Sequence, residues 1–331
     1  MSAALPSTSS LVAIAPRQSY CRGVGELPQA ALGAIVYGRD GAAACAAAAD
    51  PRLVAVPLEA MPGSHCVEAW TSQGPIACGA VQGLHFTASA LHLFGFMEID
   101  EAAAGGLRLA TREAYRQILR FHAHSEHRHL WRIWNFIDAI NEGTGDAERY
   151  RQFCLGRAEG IAGNGDGYPA GTAVGLRTGT RRLTLVWLAG RAPGRAVENP
   201  RQVSAFRYPR QYGPASPSFS RAILLGDQLL ISGTSSIVGH ETVHTGDVSA
   251  QLQESVSNLQ SVAAAAQMVG TRLTGLKAYV RREADFPLVA AELERRFAPL
   301  GAACVLAADI CRSDLLIELE AAASGRSAPD S

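Results

Sequence analysis

The chain has 331 residues, which at the usual ~100–200 residues per domain predicts two packing units and excludes a disulfide-stapled miniature. Lys and Arg number 30, as do Asp and Glu, so the formal charge at pH 7 is zero; no global field draws the protein to nucleic acid or to an anionic membrane. With 47% hydrophobic and 18% charged residues the chain can bury a core, which excludes general disorder.

Residues 1–20 are expected to form a disordered tail, small and polar at the start and without a basic region ahead of the short apolar run. No stretch reaches the roughly 18 apolar residues of a membrane span. The seven cysteines, Cys21, Cys45, Cys66, Cys78, Cys154, Cys304 and Cys311, contain no Cys-x-x-Cys pair. They read as free thiols of a cytoplasmic protein.

Residues 21–190 form the first predicted unit. Helical spacing covers about 107–121, a strand follows at 130–137, a second helix covers about 147–161, and 172–176 and 183–188 supply the closing strands. Residues 191–220 connect the units and are rich in Pro, Arg and Tyr; aperiodic segments this long are more often functional than idle. The second unit spans 221–322, with a helix at 247–268 that begins on Asp247 and stops before Gly270. A strand at 276–281, a helix at 287–297, a β-rich stretch at 303–308, a turn at 312–314 and a last strand at 315–321 complete it, ahead of a disordered tail at 323–331.

Both units thus run in the same order, strand, helix, strand, helix, strand, strand, and Arg132 and Trp134 sit where Lys277 and Tyr279 recur. This predicts an α+β fold of two tandem units, each a mixed sheet with helices packed on one face.

Several motifs invite chemistry. His240-Glu241-Thr242-Val243-His244 matches the zinc pattern H-E-x-x-H. The β-branched pair inside it and the glycines flanking it argue against the helix that zinc would need, so no metal site is read there. His122, His124, His127 and His129, with Arg108, Arg112, Arg116, Arg120, Arg128 and Arg132, read as a solvated helix face, because steps of four drift around a helix by about 40° each. The glycine-rich run at 163–175 lacks the lysine of a phosphate loop, and no Gly-x-Ser-x-Gly elbow occurs.

Two features carry more. In Ile317-Glu318-Leu319-Glu320, alternation on a strand puts both carboxylates on one face and the apolar pair on the other. Glu318 is then either a solvent-facing glutamate or a shielded carboxyl that serves as an acid at neutral pH. The second feature is a concentration of Arg and Tyr at Tyr150, Arg157, Arg201, Arg207, Tyr208, Arg210, Tyr212 and Arg221. Guanidinium forks and phenols suit a small dianionic ring compound, though the same arginines could equally be solvated on a loop.

The last unit, with Tyr279, Asp285-Phe286 and Leu316-Ile317-Glu318-Leu319-Glu320-Ala321, resembles the RidA/YjgF family of enamine/imine deaminases. It departs from that family near Ala303, where a carboxylate-binding arginine is expected. A longer resemblance runs through Glu148-Arg149-Tyr150-Arg151-Gln152-Phe153-Cys154, Glu198-Asn199-Pro200-Arg201-Gln202, Tyr208-Pro209-Arg210-Gln211-Tyr212-Gly213-Pro214, Gly239-His240-Glu241 and Ile310-Cys311-Arg312. Over residues 20–322 the chain resembles the bacterial chorismatases.

That resemblance implies two tandem RidA/YjgF-like units and cleavage of the enolpyruvyl ether of chorismate to pyruvate and a ring product, with no metal or organic cofactor. It implies Glu318 as the acid, Cys311 as a pocket residue of the branch that makes 3-hydroxybenzoate, alone or with 4-hydroxybenzoate, and Tyr150, Arg157, Tyr208, Tyr212 and Arg221 as the substrate-binding set. A dihydroxycyclohexadiene carboxylate is the alternative product, and a RidA-like protein that binds a small anion without turnover is the alternative function. Because the repeat can build within one chain an interface that RidA-like proteins make by trimerising, a monomer or weak small oligomer is expected.

Overall fold

The computed structural model of the chain describes residues 15–162, 167–297 and 303–327. The opening segment folds into a sheet of its own: β1 (Arg17–Cys21), β2 (Ala31–Tyr37), helix α1 (Gly41–Ala48), β3 (Leu53–Val56) and β4 (Val67–Thr71), in the order β1-β4-β2-β3. The sequence reading missed it because every residue of β2 is buried, and a strand covered on both faces shows no alternation.

The second sheet is built from β5 (Ala77–Val81), β6 (Leu84–Ala88), β7 (His92–Asp100), α2 (Leu107–Ala123), β8 (His129–Asp138), α3 (Arg149–Ile161), β9 (Ala170–Leu176) and β10 (Arg182–Gly190). The third uses β11 (Arg195–Val197), β12 (Ala222–Leu225), β13 (Gln228–Ser235), a hairpin of β14 (Ile237–Val238) and β15 (Glu241–Thr242), α4 (Val248–Ala265), β16 (Met268–Val280), α5 (Phe286–Phe297), β17 (Ala303–Ala307), the short β18 (Asp309–Ile310) and β19 (Ile317–Ser327).

The predicted repeat is visible in the strand orders, β5-β6-β7-β10-β8-β9 and β11-β12-β13-β19-β16-β17. Counted within each unit both read first, second, third, sixth, fourth, fifth. These are two tandem units of one topology in an α+β fold. The first sheet is the same order with its two leading strands missing. β18 leaves the third unit and pairs antiparallel with β9, extending the second sheet.

Helices cover the outer faces and the inner faces meet. α2 shows how: Leu107, Ala110, Ala114 and Ile118 are buried at helical spacing, while Arg108, Arg116 and Arg120 stay exposed. α4 starts where expected, the Asp247 carboxylate accepting from the Ala250 backbone N–H at 3.0 Å. A central core draws on all three sheets, with Trp70 from the first, Trp134 and Leu188 from the second, and Leu230 and Tyr279 from the third. Trp70 and Trp134 pack at 5.7 Å between ring centroids. Among the described residues no helix is long and apolar enough to cross a membrane.

Some expected boundaries move. β1 already occupies 17–20, and β19 runs on through 323–327 because its far end pairs with the early part of β16; neither stretch is tail. β11 lies inside the expected connector yet pairs with β12. α4 stops at Ala265, short of the expected 268, because β16 claims Met268. The His/Arg concentration also divides. His122 is buried and accepts from Trp187 Nε1 at 2.9 Å, with burial lowering its pKa to about 4. His127 and Arg132 are buried too, so these three do not belong to the solvated face that the α2 arginines form.

Candidate active site

The inner edges of the second and third sheets meet where β9 runs beside β13. The Gly171 N–H donates to Ser232 Oγ at 2.8 Å and the Gly233 N–H to Thr172 Oγ1 at 3.0 Å, which fixes the seam. A cavity of about 460 Å³ opens along it. Tyr150 and Arg157 reach it from α3, Tyr208, Tyr212 and Arg221 from the segment leading into β12, and Cys311 and Glu318 from the end of the chain. The fold therefore brings together all the side chains picked out from the sequence as catalytic or substrate-binding. The remaining arginines of that concentration lie elsewhere: Arg201 pairs with Glu254 at 2.6 Å, Arg210 pairs with Asp146, and Arg207 is exposed.

Alternation along β19 sends Ile317 and Leu319 into the core beneath α4, and sends Glu318 and Glu320 inward, 4% and 3% exposed. Neither faces solvent. Their surroundings nevertheless differ. Glu318 accepts one hydrogen bond, from Ser235 Oγ at 3.0 Å. Burial raises its pKa and the Glu320 charge adds to that, against the Ser235 bond and the more distant Arg132 and Arg221, leaving it at about 7. A Cβ at Gly233 would stand 2.0 Å from Glu318 Oε1, so only glycine leaves room for this carboxyl.

Glu320 is held by Lys277 Nζ at 2.6 Å and Arg132 Nη2 at 2.8 Å. It also accepts from Trp134 Nε1 at 2.9 Å and Thr172 Oγ1 at 2.8 Å. Burial pushes its pKa up, but the two cations outweigh that and hold it well below the usual carboxylate range. One strand face thus presents an acid and, two residues on, a fixed carboxylate. A pair of carboxyl groups whose pKa values are driven apart marks a division of labour.

Arg157 and Arg221 are each only 3% exposed, and the Nε of each is buried without a partner among the described residues. Arg157 lies over the Tyr115 ring at 5.0 Å. Arg221 packs against Phe219 at 5.3 Å and donates from Nη2 to the Tyr208 hydroxyl at 2.9 Å. Neither guanidinium makes an ion pair among the described residues, and a buried guanidinium facing a cavity in that state is costly unless an anion arrives.

Residues with no signal of their own complete the wall. Arg312 stacks on Tyr212 at 4.0 Å and donates from Nη1 to the His240 carbonyl at 2.9 Å, leaving Nη2 buried and unpartnered among the described residues. Its place in Ile310-Cys311-Arg312 was the available clue. Thr172 and Ser235 are ordinary in sequence, and only the fold shows them bonded to the two glutamates.

His240 and His244 lie on a β-hairpin and its exit, with His244 at φ 61°, so H-E-x-x-H spans no helix here. His240 Nδ1 sits 3.2 Å from the Tyr212 hydroxyl, which makes it a support of the pocket wall. Burial, with a further push from Glu318, raises the Cys311 thiol to about 12. At neutral pH Cys311 is therefore a neutral wall group rather than a thiolate nucleophile.

A deep cleft between like sheets, with a split carboxyl pair and unpaired guanidinium groups, defines an enzyme site. A family model described as chorismatase FkbO/Hyg5-like, N-terminal, matches residues 68–189. A 3-hydroxybenzoate synthase of Streptomyces hygroscopicus is 34% identical over 275 residues, 76% of this chain and 80% of its own. A chorismatase of Streptomyces rapamycinicus is 36% identical over 273 residues, again 76% and 80%. The crystal structure of a chorismatase superposes with a TM-score of 0.80 at 30% identity, covering 95% of this chain and 100% of that one. The chain belongs to the chorismatase family.

Proposed function

We propose that the protein cleaves the enolpyruvyl ether of chorismate to pyruvate and 3-hydroxybenzoate, alone or with 4-hydroxybenzoate, with Glu318 as the general acid. The observation that carries this reading is the split carboxyl pair: Glu318, raised to about 7, lines a cavity that also holds buried arginines, and Glu320, held down, lies behind it on the same strand face. The relatives' names and the residue set agree with it. Chorismate carries a ring carboxylate and a side-chain carboxylate, which two separated arginines, Arg157 and Arg221, can neutralise.

Glu318 donates its proton to the terminal methylene of the enol ether, and an oxocarbenium ion forms beside the carboxylate left behind. The ring C–O bond then breaks, its electron pair leaving with the pyruvate oxygen, and the ring loses a proton as it becomes aromatic, which restores the proton that Glu318 gave up. Splitting chorismate into pyruvate and a hydroxybenzoate needs no net water, whereas release of the dihydrodiol consumes one. Cys311, neutral and apolar, lines the pocket where these routes diverge, and it supports the hydroxybenzoate branch.

Purified protein incubated with chorismate should release pyruvate well above the spontaneous rate, with a hydroxybenzoate in equal amount by chromatography. A dihydrodiol alone would overturn the product assignment, and no pyruvate would leave only a binding protein.

The pH dependence follows from the same group. An acid of raised pKa is competent below that value, so kcat/KM should fall as pH rises through about 7, by about tenfold per unit beyond it. Steady-state rates across pH 5–9 check this, and a limb near the ordinary glutamate value of ~4.3 would contradict it.

A further inference from the structure

Behind Glu318 lies a buried charge cluster that draws on all three sheets. Lys277 of β16 is fully buried between Glu320 of β19, at 2.6 Å, and Glu68 of β4, at 2.5 Å. Arg132 of β8 completes the set through Glu320 at 2.8 Å. Glu68 is also fully buried and accepts from Tyr37 OH at 2.7 Å, Gln18 Nε2 at 2.7 Å and Trp70 Nε1 at 3.2 Å. The hydroxyl of Tyr37 in turn accepts from Lys277 Nζ at 2.8 Å.

Two cations and two carboxylates sum to zero. Ionising Glu318 in addition would leave the cluster and Glu318 together with one negative charge in excess, which low-dielectric surroundings disfavour. Other charged or titratable groups around Glu318 include Arg221, Arg157 and Arg312, which line the cavity with it, and Tyr279, Tyr150 and Cys311. Burial raises the pKa of both tyrosines and of the thiol, so these three are neutral at pH 7 and do not alter the sum. The cavity arginines lie outside the cluster and are the same with or without Glu68, so they leave the difference that Glu68 makes unchanged.

We propose that Glu68, in the first sheet and outside the cavity, is a positioning residue for the reaction: it completes the neutral set of charges and thereby keeps Glu318 in its acid form. The first sheet then tunes the acid of a site built by the other two. The inference rests on the reading of Glu318 as the general acid.

The test is the pH profile of chorismate turnover in three variants, each checked by thermal melting and assayed where it is folded. Glu68→Gln leaves a net positive charge behind Glu318, so the falling limb of kcat/KM should move down by about one pH unit, with about tenfold lower activity above it. Lys277→Met leaves a net negative charge, since Arg132 still holds Glu320, and its limb should move up. The charge-balanced pair Glu68→Gln/Lys277→Met should return the limb to its wild-type place, which a merely structural role would not do. A folded single variant that keeps the wild-type limb overturns the inference. Absence of turnover in the wild-type protein would instead sink the functional reading; the infrared carboxyl stretch of Glu318, titrated in the same variants, would still decide the role of Glu68.

Discussion

Glu318→Gln should lower chorismate cleavage by about 10²–10⁴-fold, the range that a positioned general acid contributes, while the protein melts close to the wild-type temperature. The two halves of this expectation have one cause. Glu318 is buried, and with its pKa at about 7 much of it is already uncharged near neutral pH. A glutamine of nearly the same shape keeps a partner for Ser235 and removes the transferable proton and little else.

The same change two residues along behaves differently. Glu320→Gln strips the carboxylate from Lys277 and Arg132, leaving excess buried positive charge and costing about 3–5 kcal/mol of stability. Pyruvate release coupled to a dehydrogenase, together with thermal melts, separates the two. If Glu318→Gln turns over at the wild-type rate, or if Glu320→Gln melts unchanged while Glu318→Gln collapses, the roles assigned to the pair are wrong.

The second large effect concerns the anion. Arg157→Ala and Arg221→Ala should each reduce kcat/KM by about 10²–10³-fold, the loss expected when one partner of a desolvated charge pair is removed. Lysine at either place should recover only part of it, because a point charge replaces a planar fork. At Arg157 the loss should fall mainly on KM, since nothing among the described residues ties that guanidinium to Glu318. At Arg221 it should fall on kcat as well, because it anchors the Tyr208 hydroxyl, while the loss of its charge, which opposes the rise of the Glu318 pKa, should move the falling limb to higher pH. Substitutions that leave KM untouched at both positions would show that the cavity does not hold a dianion through these groups.

Much of the site was legible because its signals are local. Alternation in Ile317-Glu318-Leu319-Glu320 placed both carboxylates on one face whatever the fold around them, and Asp247 marked the start of α4 by its capping chemistry. The Arg/Tyr concentration was visible in the residues, but which members form a set was given only by the family resemblance. Arg201 and Arg210 differ from Arg221 only through distant partners, Glu254 and Asp146, that the chain brings up after folding.

The charge cluster was illegible for the same reason. Lys277 and Glu68 are 209 residues apart in sequence, and nothing near Glu68 announces a buried ion. Arg132 was misread because it continues a row of arginines at steps of four, yet the row leaves the helix at Ala123 and Arg132 stands on the strand after it. The first sheet escaped notice because its strands are short and β2 is covered on both sides.

The shielded carboxylic acid at position 318 should be protonated near neutral pH, and infrared difference spectroscopy of the wild-type protein against Glu318→Gln reads this without any turnover. The expected spectrum has a protonated-carboxyl C=O band that is present at pH 6, absent in the variant, and lost as pH rises through about 7. A wild-type spectrum at pH 6 showing only the ionised carboxylate at this position would contradict it.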